Sequence, residues 1–175
     1  MRSHDTIGYA GTIAALLMHP RDFFMTRFNG ISLVQAMLIL SLSSLFFAVT
    51  GALMQPGAAS LAVGIIHFAN AVGMVAMGSV IGWVALLITT GRRYRLAKVF
   101  SVFSLSSGAV LLIAWVPSAF FLTEPWKWWL IYTGLVRGLG ISRRTALIVV
   151  AGTVCVLALF FLSLILFLGP GRSGG

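Results

Sequence analysis

An uninterrupted apolar run, followed at once by a cluster of basic residues, occupies the middle of the chain. Residues 61–90 contain no Asp, Glu, Lys or Arg. As a helix this run would be about 45 Å long, against about 30 Å for the hydrocarbon core of a bilayer. The next residues are rich in arginine, at positions 92, 93 and 95. This pattern predicts a membrane-spanning helix, with length to spare, that ends at the headgroups.

Composition places the whole chain in the same class. Apolar residues make up 59% of the sequence, the mean hydropathy is +1.04 and only 9% of residues are charged. These values lie outside the range of soluble globular domains, so we predict an all-α integral membrane protein. The net charge of +9 comes from residues lying mostly between apolar runs. Basic residues in such gaps orient a membrane protein and contact lipid headgroups, and no nucleic-acid partner is expected.

The apolar runs predict five transmembrane helices preceded by an N-terminal segment. The predicted spans are about 31–54, 61–90, 97–122, 126–139 and 143–168, within a bundle of residues 30–168, and residues 169–175 are a flexible tail. Residues 1–29 are predicted to be a cytoplasmic and interfacial segment of two short amphipathic pieces, divided at His19 and Pro20. Phe23 and Phe24 would anchor the second piece at the headgroups.

The charge distribution orients the predicted bundle. The fourth span is short, and a re-entrant hairpin is the alternative. If it crosses, one face holds ten of the twelve Lys and Arg residues. The ten are Arg2, Arg21, Arg27, Arg92, Arg93, Arg95, Lys98, Arg137, Arg143 and Arg144. Because basic residues favour the cytoplasmic side, we expect a cytoplasmic N-terminus and an external C-terminus.

One face of the second span carries its polar and sulfur-containing side chains. His67, Asn70, Met74 and Met77 follow a spacing of three, four and three residues, which places them on one side of a helix. They would hydrogen-bond to serines of the first or third span, line a passage for a solute, or, least favoured, hold a metal or haem with Cys155. No second intramembrane histidine is present, so no cofactor and no metal are expected.

Two further sets of residues have predicted roles in packing and lipid contact. Gly78 and Gly82 form a GxxxG pattern that allows close helix packing, within the bundle in preference to between copies. The basic clusters are expected to bind anionic headgroups at about 1 kcal/mol per charge. These clusters comprise Arg92, Arg93, Arg95, Lys98, Arg137, Arg143 and Arg144.

The chain resembles the Yip family (Ypt/Rab-interacting-protein domain) in its bacterial form. The resemblance is carried by residues 19–24 (HPRDFF), by the serine-rich third span at 99–117, and by residues 128–135 leading into 137–146. It implies five transmembrane helices, a cytoplasmic N-terminus, a bacterial inner membrane location and a non-enzymatic role. The chain lacks the long N-terminal region of eukaryotic members, so the resemblance implies no GTPase-binding residue here.

Catalysis is not expected of this chain. Its three acids, Asp5, Asp22 and Glu124, fall outside the predicted spans and form no acid–base pair with a histidine. The sequence therefore favours a non-enzymatic membrane scaffold or accessory subunit. It would act through helix–helix and anionic-lipid contacts, with a membrane-protein partner or a second copy. A small transporter or channel is the first alternative, and an intramembrane metal or haem binder is the second.

Overall fold

A computed structural model describes residues 8–54, 60–116 and 120–168. These residues are almost all helical and include no β-strand. The helices are α1 (Tyr9–Met18), α2 (Pro20–Thr26), α3 (Leu33–Leu53), α4 (Ser60–Thr90), α5 (Leu96–Ala114), α6 (Phe120–Thr133) and α7 (Arg143–Leu168). A 3₁₀ turn (Phe28–Gly30) follows α2, and a π-helical turn (Gly134–Gly138) continues α6.

Four of these helices are long and apolar enough to cross a membrane. They are Leu33–Leu53, Ser60–Thr90, Leu96–Ala114 and Arg143–Phe167. The predicted all-α class is confirmed, and the chain has the build of a multi-pass membrane protein. The long second span is one continuous helix of 31 residues, so its extra length is not interrupted by a helix break.

Helix α5 is the centre of the bundle. Every residue from 101 to 110 is buried, and the helix packs against α3, α4, α6 and α1. A small residue allows the close contact with α3, because a Cβ on Gly108 would lie 3.2 Å from Ile39 Cγ2 and 3.5 Å from the Leu40 Cα. By contrast, α7 exposes large apolar side chains along most of its length. An exposed apolar surface of this kind is suited to contact with lipid acyl chains.

Local signals set the ends of several helices. Ser32 begins α3 with a capping box, in which its hydroxyl accepts from the Gln35 N–H at 3.2 Å and its own N–H donates to Gln35 Oε1 at 2.9 Å. Ser142 accepts from the Thr145 N–H at 3.2 Å, so its predicted capping of α7 is confirmed. Gly91 and Gly140 end the preceding helices with φ of +63° and +68°, a region that favours glycine.

The boundary predicted between the third and fourth spans is wrong. Helix α5 ends at Ala114, and α6 begins at Phe120, so Leu122 belongs to the later helix. Two contacts at helical spacing stabilise the early start of α6. Lys127 Nζ lies 2.6 Å from Glu124 Oε1, and the rings of Trp126 and Trp129 are 4.8 Å apart. Pro125 is accommodated near the start of the helix.

The N-terminal helices pack into the bundle, which corrects the prediction that aromatic anchors hold them at the headgroups. Phe23 is 3% exposed, and Phe24 and Phe28 are fully buried. Helix α1 contacts α5, and α2 contacts the π-helical turn. A helix at the interface would instead direct its rings away from the protein, toward lipid.

Candidate functional site

The basic clusters predicted from separate parts of the sequence lie at one end of the bundle. Phe28 connects them, because its ring lies 2.9 Å from the position of a Cβ on Gly138, and Lys98 Nζ lies 5.1 Å from its centroid. Lys98 Nζ also lies 3.5 Å from the Asn29 carbonyl oxygen. The turn before α5 and the turn before α7 therefore meet at the same end. We call it the basic end, and it comprises Arg92, Arg93, Arg95, Lys98, Arg137, Arg143 and Arg144.

The arginines of the basic end are available to anions. All six are exposed, whereas Lys98 is partly buried against Phe28. Within the described ranges, the one ion pair joins Lys127 and Glu124 on α6. None of the basic-end arginines therefore forms a salt bridge with a carboxylate of these ranges. Exposed guanidinium groups present planar sets of N–H donors that suit phosphate oxygens.

Two phenylalanines and two glycines join the N-terminal segment to the end of α6. A Cβ on Gly134 would lie 2.9 Å from Phe24 Cε1 and 2.5 Å from Val102 Cγ1. A Cβ on Gly138 would lie 2.9 Å from Phe28 Cδ1. The members of each pair are four residues apart in the chain, and the two rings meet the two glycines in the fold. We call this contact the Phe–Gly seam.

The sequence does not predict the Phe–Gly seam, although the four-residue spacing of its phenylalanines and of its glycines is present in it. Phe24 and Phe28 are four residues apart in the sequence, and so are Gly134 and Gly138. Each pattern has common explanations of its own, since aromatic residues are frequent at interfaces and glycines are frequent in turns. Only the fold brings the two pairs together.

The polar face predicted on α4 does not form a single site. His67 packs edge-on against Phe47, with ring centroids 5.4 Å apart, and its Cδ2 lies 3.2 Å from the position of a Cβ on Gly51. Asn70 is exposed, and Met74 and Met77 are partly buried. In the described part of the chain neither His67 nor Asn70 has a hydrogen bond to a serine of α3 or α5. That prediction is therefore not confirmed.

The cysteine and the second histidine considered for a metal site both lie on the surface of the described structure. Cys155 on α7 is exposed, and so is His19 between α1 and α2. Over residues 8–54, 60–116 and 120–168, no three His, Cys, Asp or Glu side chains are grouped to hold a metal ion.

Gly78 and Gly82 face inward on α4. A Cβ on Gly82 would lie 2.8 Å from Phe103 Cζ and 3.5 Å from Thr153 Oγ1, and a Cβ on Gly78 would lie 3.4 Å from Phe103 Cε1. The GxxxG pattern thus receives the ring of Phe103 from α5, beside α7. Its place in this chain is packing within the bundle.

Hydroxyl groups make up the buried polar part of the bundle. Tyr9 Oη and Ser43 Oγ are 2.8 Å apart, and because Ser43 is halfway along α3, the start of α1 is level with the middle of that helix. Three buried serine hydroxyls, those of Ser44, Ser104 and Ser106, have no partner among the described residues. The interior is hydroxyl-rich, and the described residues include no buried ionisable side chain.

The hydrogen bond between Tyr9 and Ser43 gives a prediction on how α1 is held. We expect Tyr9→Phe and Ser43→Ala each to lower the free energy of unfolding by about 1 kcal/mol, since each removes one intramolecular hydrogen bond. In the double variant the two losses should not add, because the same bond is lost only once. Thermal unfolding in detergent of the two single variants and the double variant measures this coupling, and full additivity would contradict the bond.

Comparisons with protein-family models, with curated proteins and with solved structures give no match to this chain. The resemblance to the Yip family stays a prediction.

Proposed function

We propose that the protein is a non-enzymatic membrane scaffold or accessory subunit that binds anionic lipid headgroups at its basic end and associates with other helices through its apolar flanks. The observation that carries the proposal is the gathering of exposed, unpaired arginines from two separate turns at one end of a bundle. Phosphate-bearing lipids match that charge in sign and donor geometry. The large apolar side chains exposed on α3 and α7 are suited to lipid and to helix contacts.

The proposal includes a fifth crossing by α6 and the π-helical turn. Support comes from their continuity and direction. The 14-residue α6 passes directly into the five-residue turn, for a combined length of about 28 Å. Gly134, near the end of this segment, lies against Val102, near the start of α5. The segment is therefore antiparallel to α5 and returns to the basic end.

We further propose that the basic end faces the cytoplasm of a bacterial inner membrane, with the end of α7 on the external face. The charge imbalance supports this orientation, since the described charges at the start of α6 are the paired Glu124 and Lys127. In a Cys155→Ala background, we expect Arg144→Cys to react with a membrane-impermeant maleimide only after permeabilisation. We expect Leu122→Cys and Leu168→Cys to react in intact cells. Labelling of residues 122 and 144 from the same side would contradict the fifth crossing.

Lipid binding is tested by removing charge from the basic end. We expect the triple variant Arg92→Gln, Arg93→Gln and Arg95→Gln to weaken retention of anionic lipid by roughly a hundredfold, because each charge contributes about 1 kcal/mol. Native mass spectrometry of protein released from mixed anionic and zwitterionic bilayers measures the number of anionic lipids retained.

The control for this experiment keeps the net charge constant. Glu124→Gln with Lys127→Gln removes one charge of each sign from α6, and we expect lipid retention to stay at the wild-type level. Wild-type retention in the triple arginine variant would overturn the proposed lipid-binding role. Equal loss in the control would assign the effect to bundle stability instead.

A further inference from the structure

Asn70 presents a carboxamide on the outside of α4. The residue is exposed, and no hydrogen bond joins its side chain to any residue within 8–54, 60–116 or 120–168. It is ten residues into a 31-residue helix that has the length and composition of a membrane span. The chain's other asparagine, Asn29, lies in the 3₁₀ turn near the basic end.

The packing of α4 on α3 places Asn70 near the middle of the membrane. His67 contacts Phe47 and Gly51 of α3, and Gly64 lies against Ala48 and Ala52. Because the two helices are antiparallel, Asn70, one turn closer to the basic end than His67, is level with the middle of α3. Helix α3 has 21 residues, about 31 Å, which matches the hydrocarbon thickness. Asn70 is therefore far from both headgroup layers.

An exposed carboxamide at this depth requires a partner. Hydrocarbon cannot satisfy its two N–H donors or its carbonyl oxygen, and leaving them unpaired is costly. Long basic side chains reach the interface from deep positions, but the short asparagine side chain does not. Since no described residue of the chain provides this partner, a helix of another molecule within the membrane is its natural source.

A second copy of this chain provides a matching partner, because a carboxamide is both donor and acceptor. Two Asn70 side chains related by a two-fold axis would each donate to the other. The neighbouring residues permit close approach. Ile66, Ala69 and Gly73 are exposed on the same side of α4, with the small residues Ala69 and Gly73 one turn apart. A Cβ on Gly73 would meet nothing within 4 Å, so no residue of the described ranges covers this surface of the helix.

We infer that two copies of this chain associate in the membrane through the exposed face of α4, with the two Asn70 carboxamides hydrogen-bonded to each other across a two-fold axis. We call this surface the Asn70 face, and it comprises Ile66, Ala69, Asn70 and Gly73. Gly78 and Gly82 are not part of it, because they pack inward on Phe103. The inference deepens the proposed function by naming one partner for its apolar flanks, and it rests on the proposal that α3 and α4 cross the membrane.

The first experiment measures self-association in lipid vesicles by energy transfer between donor- and acceptor-labelled copies. We expect the wild type to associate, and we expect Asn70→Leu to weaken association about tenfold, as loss of one hydrogen-bonded pair in a membrane predicts. Asn70→Gln keeps the carboxamide and should retain association. The matched control is Asn29→Leu, the same change outside the spans, which should have no effect. A monomeric wild type, or an unchanged Asn70→Leu, would overturn the inference.

The second experiment locates the surface by disulfide cross-linking. In a Cys155→Ser background, Gly73→Cys is expected to form a covalent dimer on oxidation in the membrane, and the space beside Gly73 allows the side chain without repacking. The wild type, which has the exposed Cys155 on α7, should form no covalent dimer under the same conditions, because Cys155 lies outside the Asn70 face. A covalent dimer of the wild type, without a covalent dimer of the Gly73→Cys variant, would place the interface on α7 and overturn the inference.

Self-association and lipid retention are expected to be lost separately, each in a different variant. Asn70 is remote from the basic end, so Asn70→Leu should retain anionic lipid as the wild type does. The triple arginine variant should still associate through the Asn70 face. Thermal unfolding of Asn70→Leu in detergent should match the wild type, because the replaced side chain is exposed.

Discussion

Replacing Phe24 with alanine is expected to lower the free energy of unfolding by about 3–5 kcal/mol. The ring is fully buried, and it fits against Gly134 and Gly138. Its removal leaves a cavity that two glycines cannot fill, because they have no side chain to move into the space. Thermal or denaturant-induced unfolding in detergent micelles, followed by tryptophan fluorescence, measures the loss.

The control for Phe24→Ala is the next residue on the same helix. Met25 is 53% exposed, so Met25→Ala should change the stability by less than about 0.5 kcal/mol. If the rings of the N-terminal segment faced lipid, the two substitutions would have similar small effects on the bundle. Equal stability of both variants would therefore contradict the Phe–Gly seam.

The second large effect is expected when a methyl group is added on the other side of the same seam. Gly134→Ala would place a Cβ 2.5 Å from Val102 Cγ1 and 2.9 Å from Phe24 Cζ. Overpacking of this kind costs about 1–3 kcal/mol, since the neighbours are themselves held in a packed core. The same unfolding measurement tests it, and combining Gly134→Ala with Phe24→Ala should recover part of the loss, because the smaller side chain at position 24 makes room.

Gly152→Ala is the matched control for Gly134→Ala. Gly152 lies inside α7, and a Cβ there would meet nothing within 4 Å. Alanine favours helix over glycine, so this variant should gain up to about 1 kcal/mol. Opposite signs for the two glycine substitutions are expected. Loss of stability in both would mean that glycine is needed for a reason other than space.

Sequence reasoning predicted elements well where one helix could be judged by itself. The predicted span 61–90 differs from α4 by one residue, and 143–168 matches α7. The prediction was poorer at residues 117–122, because an apolar run does not show where one helix ends and the next begins. Residues 117–119 lie outside the described part of the chain, but α6 already includes Leu122. An ion pair and a tryptophan pair at helical spacing decide that start.

For the candidate sites as well, properties of single residues are predictable from the sequence, and the neighbours of those residues are not. The basic residues were predicted to share one end, because charge is excluded from hydrocarbon and must collect in the turns. Helical spacing places His67, Asn70, Met74 and Met77 on one side of α4, but in the fold His67 packs against Phe47 while Asn70 is exposed. Helical periodicity states which residues share a side, and it does not state which neighbour covers that side.

By itself, the sequence determined the class of the protein and the distribution of its charge. Hydropathy and charge are sums over single residues judged against one solvent, and such sums need no knowledge of neighbours. The tertiary structure alone decided that Phe24 and Phe28 fit against Gly134 and Gly138, that His67 is covered by Phe47, and that Asn70 is left open. These are pairings between distant segments, and they depend on shape complementarity that no single segment contains.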